Sequence, residues 1–112
     1  MVDVSAVSLS GVYASERKLS VAADNIANAT TPNYKAKEVV QTSNAGGGVD
    51  TRVQTRETGG NPNTGTAEPT GNNVSLEEEL VNTQVATYSA QANLKVIQTQ
   101  DKLNKYLLDI QA

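Results

Sequence analysis

Two long stretches of the chain space their apolar residues as a helix does, and the stretch between them does not. Near the start, Val12, Leu19 and Ile26 recur every seven residues, with Ser8, Ser15 and Ala22 interleaved in steps of three and four. This predicts a helix from residue 3 to about residue 29. Its seam is narrow and built from small side chains, which allow close helix approach but bury little apolar area. Such a helix draws its stability from partners. Thr31-Pro32 disfavours continuation, and either Asn28 or Asn33 is suited to the left-handed conformation that closes a helix.

The last segment, Ser75 to about Ile110, carries the strongest pattern. Ser75 followed by Glu78 is a capping box, and Glu77, Glu78 and Glu79 put negative charge where a helix dipole favours it. At a rise of 1.5 Å per residue this helix is a rod on the order of 50 Å long. One apolar stripe runs through Val81, Val85, Tyr88, Ala92, Thr99, Leu103, Tyr106 and Ile110. A second, rotated around the helix, runs through Leu76, Leu80, Thr87, Ala90, Leu94, Ile97 and Leu108. A two-helix hairpin buries one stripe and leaves the other to face something else, most simply another copy.

Between the helices, Lys37 to Thr42 and Val49 to Thr55 alternate with period two around Asn44-Ala45-Gly46-Gly47-Gly48. They predict a β-hairpin in which Val39 pairs with Val49 or Val53. An isolated two-stranded hairpin needs a surface to lie on. From Glu57 to Asn73 the chain is Gly, Pro, Thr and Asn and has almost nothing to bury, which reads as a flexible connector. The organisation expected is residues 1–34, N-terminal helix and turn; 35–56, β-hairpin; 57–73, connector; and 74–112, C-terminal helix, in one assembling domain. The fold class is mainly α, two terminal helices pairing as an antiparallel coiled-coil hairpin with a short β-hairpin and a Gly/Thr/Asn loop between them.

Composition narrows the function. With 112 residues, no Trp or Phe, and four Tyr as the aromatic complement, a lone monomer is expected to be marginal. The net charge of −3 and the scattered Lys and Arg argue against nucleic-acid binding. The absence of Cys and His removes thiol chemistry, imidazole bases and Cys/His zinc sites. No apolar run is long enough to span a bilayer, and the first residues lack the pattern of a cleavable secretory signal. Ser15-Glu16-Arg17-Lys18 has the S-x-x-K spacing of serine acyl-enzymes but lacks the accompanying elements. Consecutive helical glutamates at 77–79 cannot converge on one ion. No enzyme, cofactor or metal site is expected.

The segment Ala22 to Tyr34 differs from these coincidences. Asp24, Asn25 and Asn28 fall in the last turns of an otherwise apolar helix, where they can bond a turn's backbone or an adjacent chain. Here Asn25, Ala27, Asn28, Thr31 and Tyr34 form an Asn-x-Ala-Asn-x-x-Thr-x-x-Tyr pattern that resembles the N-terminal signature of the bacterial flagellar rod and hook axial family, with Asn33 in place of the usual Gly. Residues 73–82 and 88–99 are similar to that family's C-terminal domain. The short middle and the Tyr106 to Ile110 ending are most like the small proximal-rod proteins.

The resemblance implies a structural, non-enzymatic subunit of the basal-body rod, exported by the flagellar type III apparatus without a cleaved signal. Its helices would pack with further copies and with other rod and hook proteins into a torque-transmitting tube, without membrane insertion. The residues expected at the assembly interface are Leu19, Asn25, Ile26, Asn28, Tyr34, Val81, Val85, Tyr88, Ala92, Leu94, Ile97, Leu103 and Leu108. The alternatives are a surface filament of the same ancestry and a soluble helical adaptor.

Overall fold

The computed structural model describes residues 3–56 and 72–111. The elements are α1 (Val4–Ala27), β1 (Lys37–Ser43), β2 (Val49–Thr55) and α2 (Leu76–Gln111). Mainly helical, with a two-stranded antiparallel hairpin between two helices, the architecture is the one expected. The connector assigned to 57–73 falls mostly outside the described residues.

Local chemistry accounts for the element ends. Asp3 caps α1 by accepting from the Ser5 and Ala6 backbone N–H groups at 3.0 and 3.4 Å. The helix stops at Ala27, and the Asn28 N–H reaches back to the Asp24 carbonyl at 3.1 Å. Of the two asparagines suited to left-handed backbone, Asn33 takes it, with φ 63°. At α2, Ser75 Oγ accepts from the Glu78 N–H at 3.4 Å, the first half of a capping box. The Glu78 carboxylate turns to Arg56 instead of completing it.

In the β-hairpin, Val39 stands opposite Val53, and Val49 opposite Ser43. The Asn44 side chain shapes the turn by accepting from the Gly46 N–H at 3.1 Å. Gly48, at φ 98°, takes a conformation that L side chains rarely adopt. A Cβ there would also stand 2.9 Å from Ser10 Oγ, which accepts from the Val49 N–H at 3.1 Å.

This contact and the bonds between Asn25 and Lys37 at the other end lay the hairpin lengthwise along α1. The lengths match: fifteen helical steps from Ser10 to Asn25 rise about 22 Å, and a seven-residue strand runs about 23 Å. The hairpin therefore has the surface it needs.

The helices pack antiparallel, with Asn25 bonded to Glu79 at one end and Gly11 against Asn93 further along. Both pairs fit one register. On α2, the buried or half-buried residues within the helix are Glu79, Thr83, Ala86, Ala90, Asn93, Ile97 and Gln100, in strict steps of four and three. On α1, Ser8, Gly11, Ser15, Lys18, Ala22 and Asn25 are their mirror image. The seam has heptad spacing but small and polar contents, which brings the backbones close.

Here the structure corrects the sequence reading. The hairpin buries neither of the two apolar stripes of α2; of their members, Ala90 and Ile97 reach the seam, each half-buried, and the rest are exposed. The reason is size. Gly11 leaves no room beyond Asn93, whose Cγ would lie 2.9 Å from a Cβ on that glycine. The facing helix must offer its small residues, and its large ones turn outward.

The resulting core is thin. Among the described residues, the buried apolar side chains are Ala14, Val21, Ala22, Ala36, Val74 and Ala86, and a buried alanine methyl contributes on the order of 1 kcal/mol. The body is a rod of 69 × 24 × 18 Å. Replacing Gly11 with Leu should wedge the seam apart and lower stability by about 2 kcal/mol, read by urea unfolding. An unchanged midpoint would show that the helices are not held at this distance.

Candidate functional site: a polar latch and an exposed helix face

Two features stand out, at opposite sides of α2. The first is a cluster of polar groups where α1 ends and α2 begins. Asn25 is fully buried, at 0% exposure. Its Nδ2 donates to the Lys37 carbonyl at 2.8 Å and to Glu79 Oε1 at 3.0 Å. Its Oδ1 accepts from the Lys37 N–H at 2.9 Å and from the Tyr34 hydroxyl at 3.4 Å. The amide thus pairs with the Lys37 backbone as a neighbouring strand residue does, while tying in α2.

Two further asparagines extend the cluster. Asn72 Nδ2 donates to the Asn28 and Thr31 carbonyls at 2.9 and 2.8 Å, and its Oδ1 accepts from the Val74 N–H at 2.9 Å. Asn73 Nδ2 donates to the Arg56 carbonyl at 2.7 Å, and its Oδ1 accepts from the Ala36 N–H at 2.5 Å. The Arg56 N–H in turn donates to the Ala36 carbonyl at 2.8 Å. Five chain segments meet here: the end of α1, the turn after it, the start of β1, the residue after β2 and the entry to α2. No buried side-chain nitrogen or oxygen among the described residues lacks a partner, so the cluster rigidifies the base of the helical hairpin without an orphaned group.

A charged cluster borders this latch. Arg56 donates to Glu78 at 2.9 Å and to Glu38 at 3.4 Å, and Gln54 Nε2 donates to Glu38. The Gln54 bond, with Arg56 adding to it, holds the Glu38 carboxyl below the usual range. Burial pushes Glu79 the other way, against the bond from Asn25. The Arg56 guanidinium is pushed up, chiefly by its bond to Glu78.

The second feature is the outward face of α2. Tyr88 lies nine residues from Glu79, about 180° around the helix, and Val81, Val85, Ala92, Thr99, Leu103, Tyr106 and Ile110 share its side. Tyr88 is 63% exposed and Ile110 80%. From Val81 to Ile110 the apolar line is about 44 Å long. Nothing in the chain covers it among the described residues.

The residues expected at an assembly interface therefore divide. Asn25 and Tyr34 lie in the latch and bond within the chain. Asn28 Nδ2 donates to the Asp24 carbonyl at 2.9 Å, and its Oδ1 accepts from the Thr31 hydroxyl at 3.1 Å. Leu19, Ile26 and Ile97 are half-buried, while Val81, Val85, Tyr88, Ala92, Leu94, Leu103 and Leu108 are exposed. Sequence reasoning missed Asn72, assigned Glu79 to the helix dipole and left Arg56 unassigned. Asn72 and Asn73 look like connector by composition; the signal available was a pair of amides one residue ahead of a capping serine, with Val74 between.

The fragmentary S-x-x-K match has a structural outcome: Ser15 Oγ donates to the Gly11 carbonyl at 3.0 Å on its own helix. Among the described residues, no group of three or more His, Cys, Asp or Glu could hold a metal ion, and no helix is long and apolar enough to cross a membrane.

A latched helical hairpin that turns its large apolar residues outward is a structural module. The family model described as flagella basal body rod protein matches residues 6–35, which span α1 and the turn with Asn25, Asn28 and Tyr34. The match covers about a quarter of the chain, makes that part similar to the flagellar rod family, and supports a structural role of that kind. No curated protein matches the chain.

Proposed function

We propose that the protein is a self-assembling subunit of the basal-body rod, exported through the flagellar type III apparatus, whose helices stack side by side with further copies and other axial subunits to carry torque. The observation that carries this reading is the continuous apolar face of α2, turned away from the chain's own seam. An apolar line this long is unusual for a stable monomer and fits an unfilled interface. In this reading the N-terminal signature makes the latch, which holds α1 and α2 in one register, and the exposed residues Val81, Val85, Tyr88, Ala92, Leu94, Leu103 and Leu108 meet neighbours. The likeness of residues 73–82 and 88–99 to the axial family's C-terminal domain supports the same assignment.

The test is concentration-dependent assembly of the purified chain, followed by light scattering and circular dichroism and completed by electron microscopy. Ordered tubes or fibres with rising helicity are expected. A well-folded monomer at every concentration, alone and mixed with other axial subunits, would sink the proposal. Loss of motility on deleting the gene separates a rod subunit from a surface filament of the same ancestry.

A further inference from the structure

Glu79 sits at the base of the hairpin with 3% of its surface exposed; its carboxylate is bonded by Asn25 Nδ2 at 3.0 Å and by the Asn82 side chain, and the Arg56 charge attracts it without forming an ion pair. Charged groups approach the same groove from each element packed there: Lys18 from α1, Lys37 and Glu38 from β1, Arg56 beyond β2, and Glu78 beside it on α2. Arg56 is engaged by Glu78 and Glu38, and no ion pair to Glu79 is formed among the described residues. A buried carboxylate without a paired cation is costly when ionised.

We infer that Glu79 is a proton-controlled lock: losing its proton loosens the attachment of α2 to α1 and β1, and regaining it tightens them. The neutral carboxyl keeps a carbonyl oxygen for Asn25 Nδ2 and sheds the desolvation cost and the repulsion from Glu78, which outweigh what it gives up, the pull of Arg56 and part of the bonding from Asn25 and Asn82. The direction of the Glu79 shift, upward by burial, agrees.

The pH window follows from that sign. A carboxyl with a raised folded-state pKa binds its proton more tightly in the folded chain. Stability is therefore gained as pH falls through that pKa, and the gain is complete below the ordinary glutamate value. Glu38, shifted downward, contributes stability that is present above the ordinary value and lost as pH falls through its own lowered pKa. Mild acid tightens the base of the hairpin before stronger acid loosens it. This inference does not rest on the flagellar reading.

The experiment is urea unfolding of the full chain by circular dichroism, in steps from about pH 8 to about pH 5, for the wild type, Glu79→Gln and Glu38→Gln. The wild-type midpoint should rise on acidification. Glu79→Gln should start at or above the wild type at neutral pH and lose the rise, while Glu38→Gln keeps it. A flat or falling wild-type midpoint, or an undiminished rise in Glu79→Gln, overturns the lock. A carbon-detected titration of the Glu79 carboxyl in the wild-type chain reads the same group without substitution. A midpoint at or below the ordinary glutamate value, or a chain with no native helicity to titrate, overturns it equally.

Discussion

Replacing Asn25 with alanine is expected to lower the unfolding free energy by about 3 kcal/mol, a large share of the stability of so thin a core. At an exposed helical position the same change would be favourable by up to about 0.7 kcal/mol, because alanine is the better helix former. Here the amide satisfies the Lys37 N–H and carbonyl and holds the Glu79 carboxylate, and truncation leaves those groups without partners. Asn25→Asp is the sharper probe. It keeps the shape and the acceptor but loses both donated bonds, and sets a second negative charge against Glu79. A loss comparable to that of alanine is expected. The check is urea unfolding of both variants with native helicity as the readout; a change within about 0.5 kcal/mol for either would show that the latch does not hold the hairpin.

The latch explains how a small-sided seam can still set a definite register. Ser8, Gly11, Ser15 and Ala22 against Asn93, Ala90, Ala86 and Thr83 supply close approach but little preference for one alignment over its neighbours. Asn25 and Glu79 can meet their partners in one alignment alone. Polar contacts that must be satisfied are a well-attested way to fix register at a modest cost in stability. The beginning of α2 is fixed twice more, by Asn72 on the turn after α1 and by Asn73 between Ala36 and Arg56.

Much of the fold was legible because its signals are local. The α1 seam could be read from Ser8, Ser15 and Ala22, which are buried, and from Val12, Leu19 and Ile26, which are half-buried. The hairpin could be read from period-two stretches around a glycine-rich turn, which left Val39 opposite Val49 or Val53; the structure sets it opposite Val53. The start of α2 could be read from Ser75 and the acidic residues after it. The inward face of α2 was not legible from spacing, since the large apolar stripe and the small polar seam share the same steps of three and four. Only the steric limit at Gly11 chooses between them, and that limit exists once the two helices are paired. The latch was half legible: Asn25 and Asn28 marked themselves as polar groups in an apolar helix, but Asn72 and Asn73 carry a loop-like composition, and their burial depends on three other segments arriving at the same place.

The inverted arrangement also decides where the assembly proposal is best challenged. Ile97 is half-buried within the hairpin, so a charge there would damage the monomer as well as any contact between copies. Leu103 is 52% exposed and Tyr106 65% exposed on the outward face, and both lie beyond the reach of α1 in the register that pairs Gly11 with Asn93. Leu103→Asp should leave the monomer's helicity and urea midpoint almost unchanged, because the side chain touches little in the isolated chain. If copies pack on this face, the aspartate is carried into an apolar contact without a partner at a cost of several kcal/mol. The critical concentration for assembly should then rise by about 100-fold or more, and Tyr106→Asp should behave alike. Assembly and helicity measured side by side separate the readings. A folded Leu103→Asp chain that polymerises like the wild type would remove the outward face from the interface, whereas loss of polymer with an intact monomer would assign that face to contact between subunits.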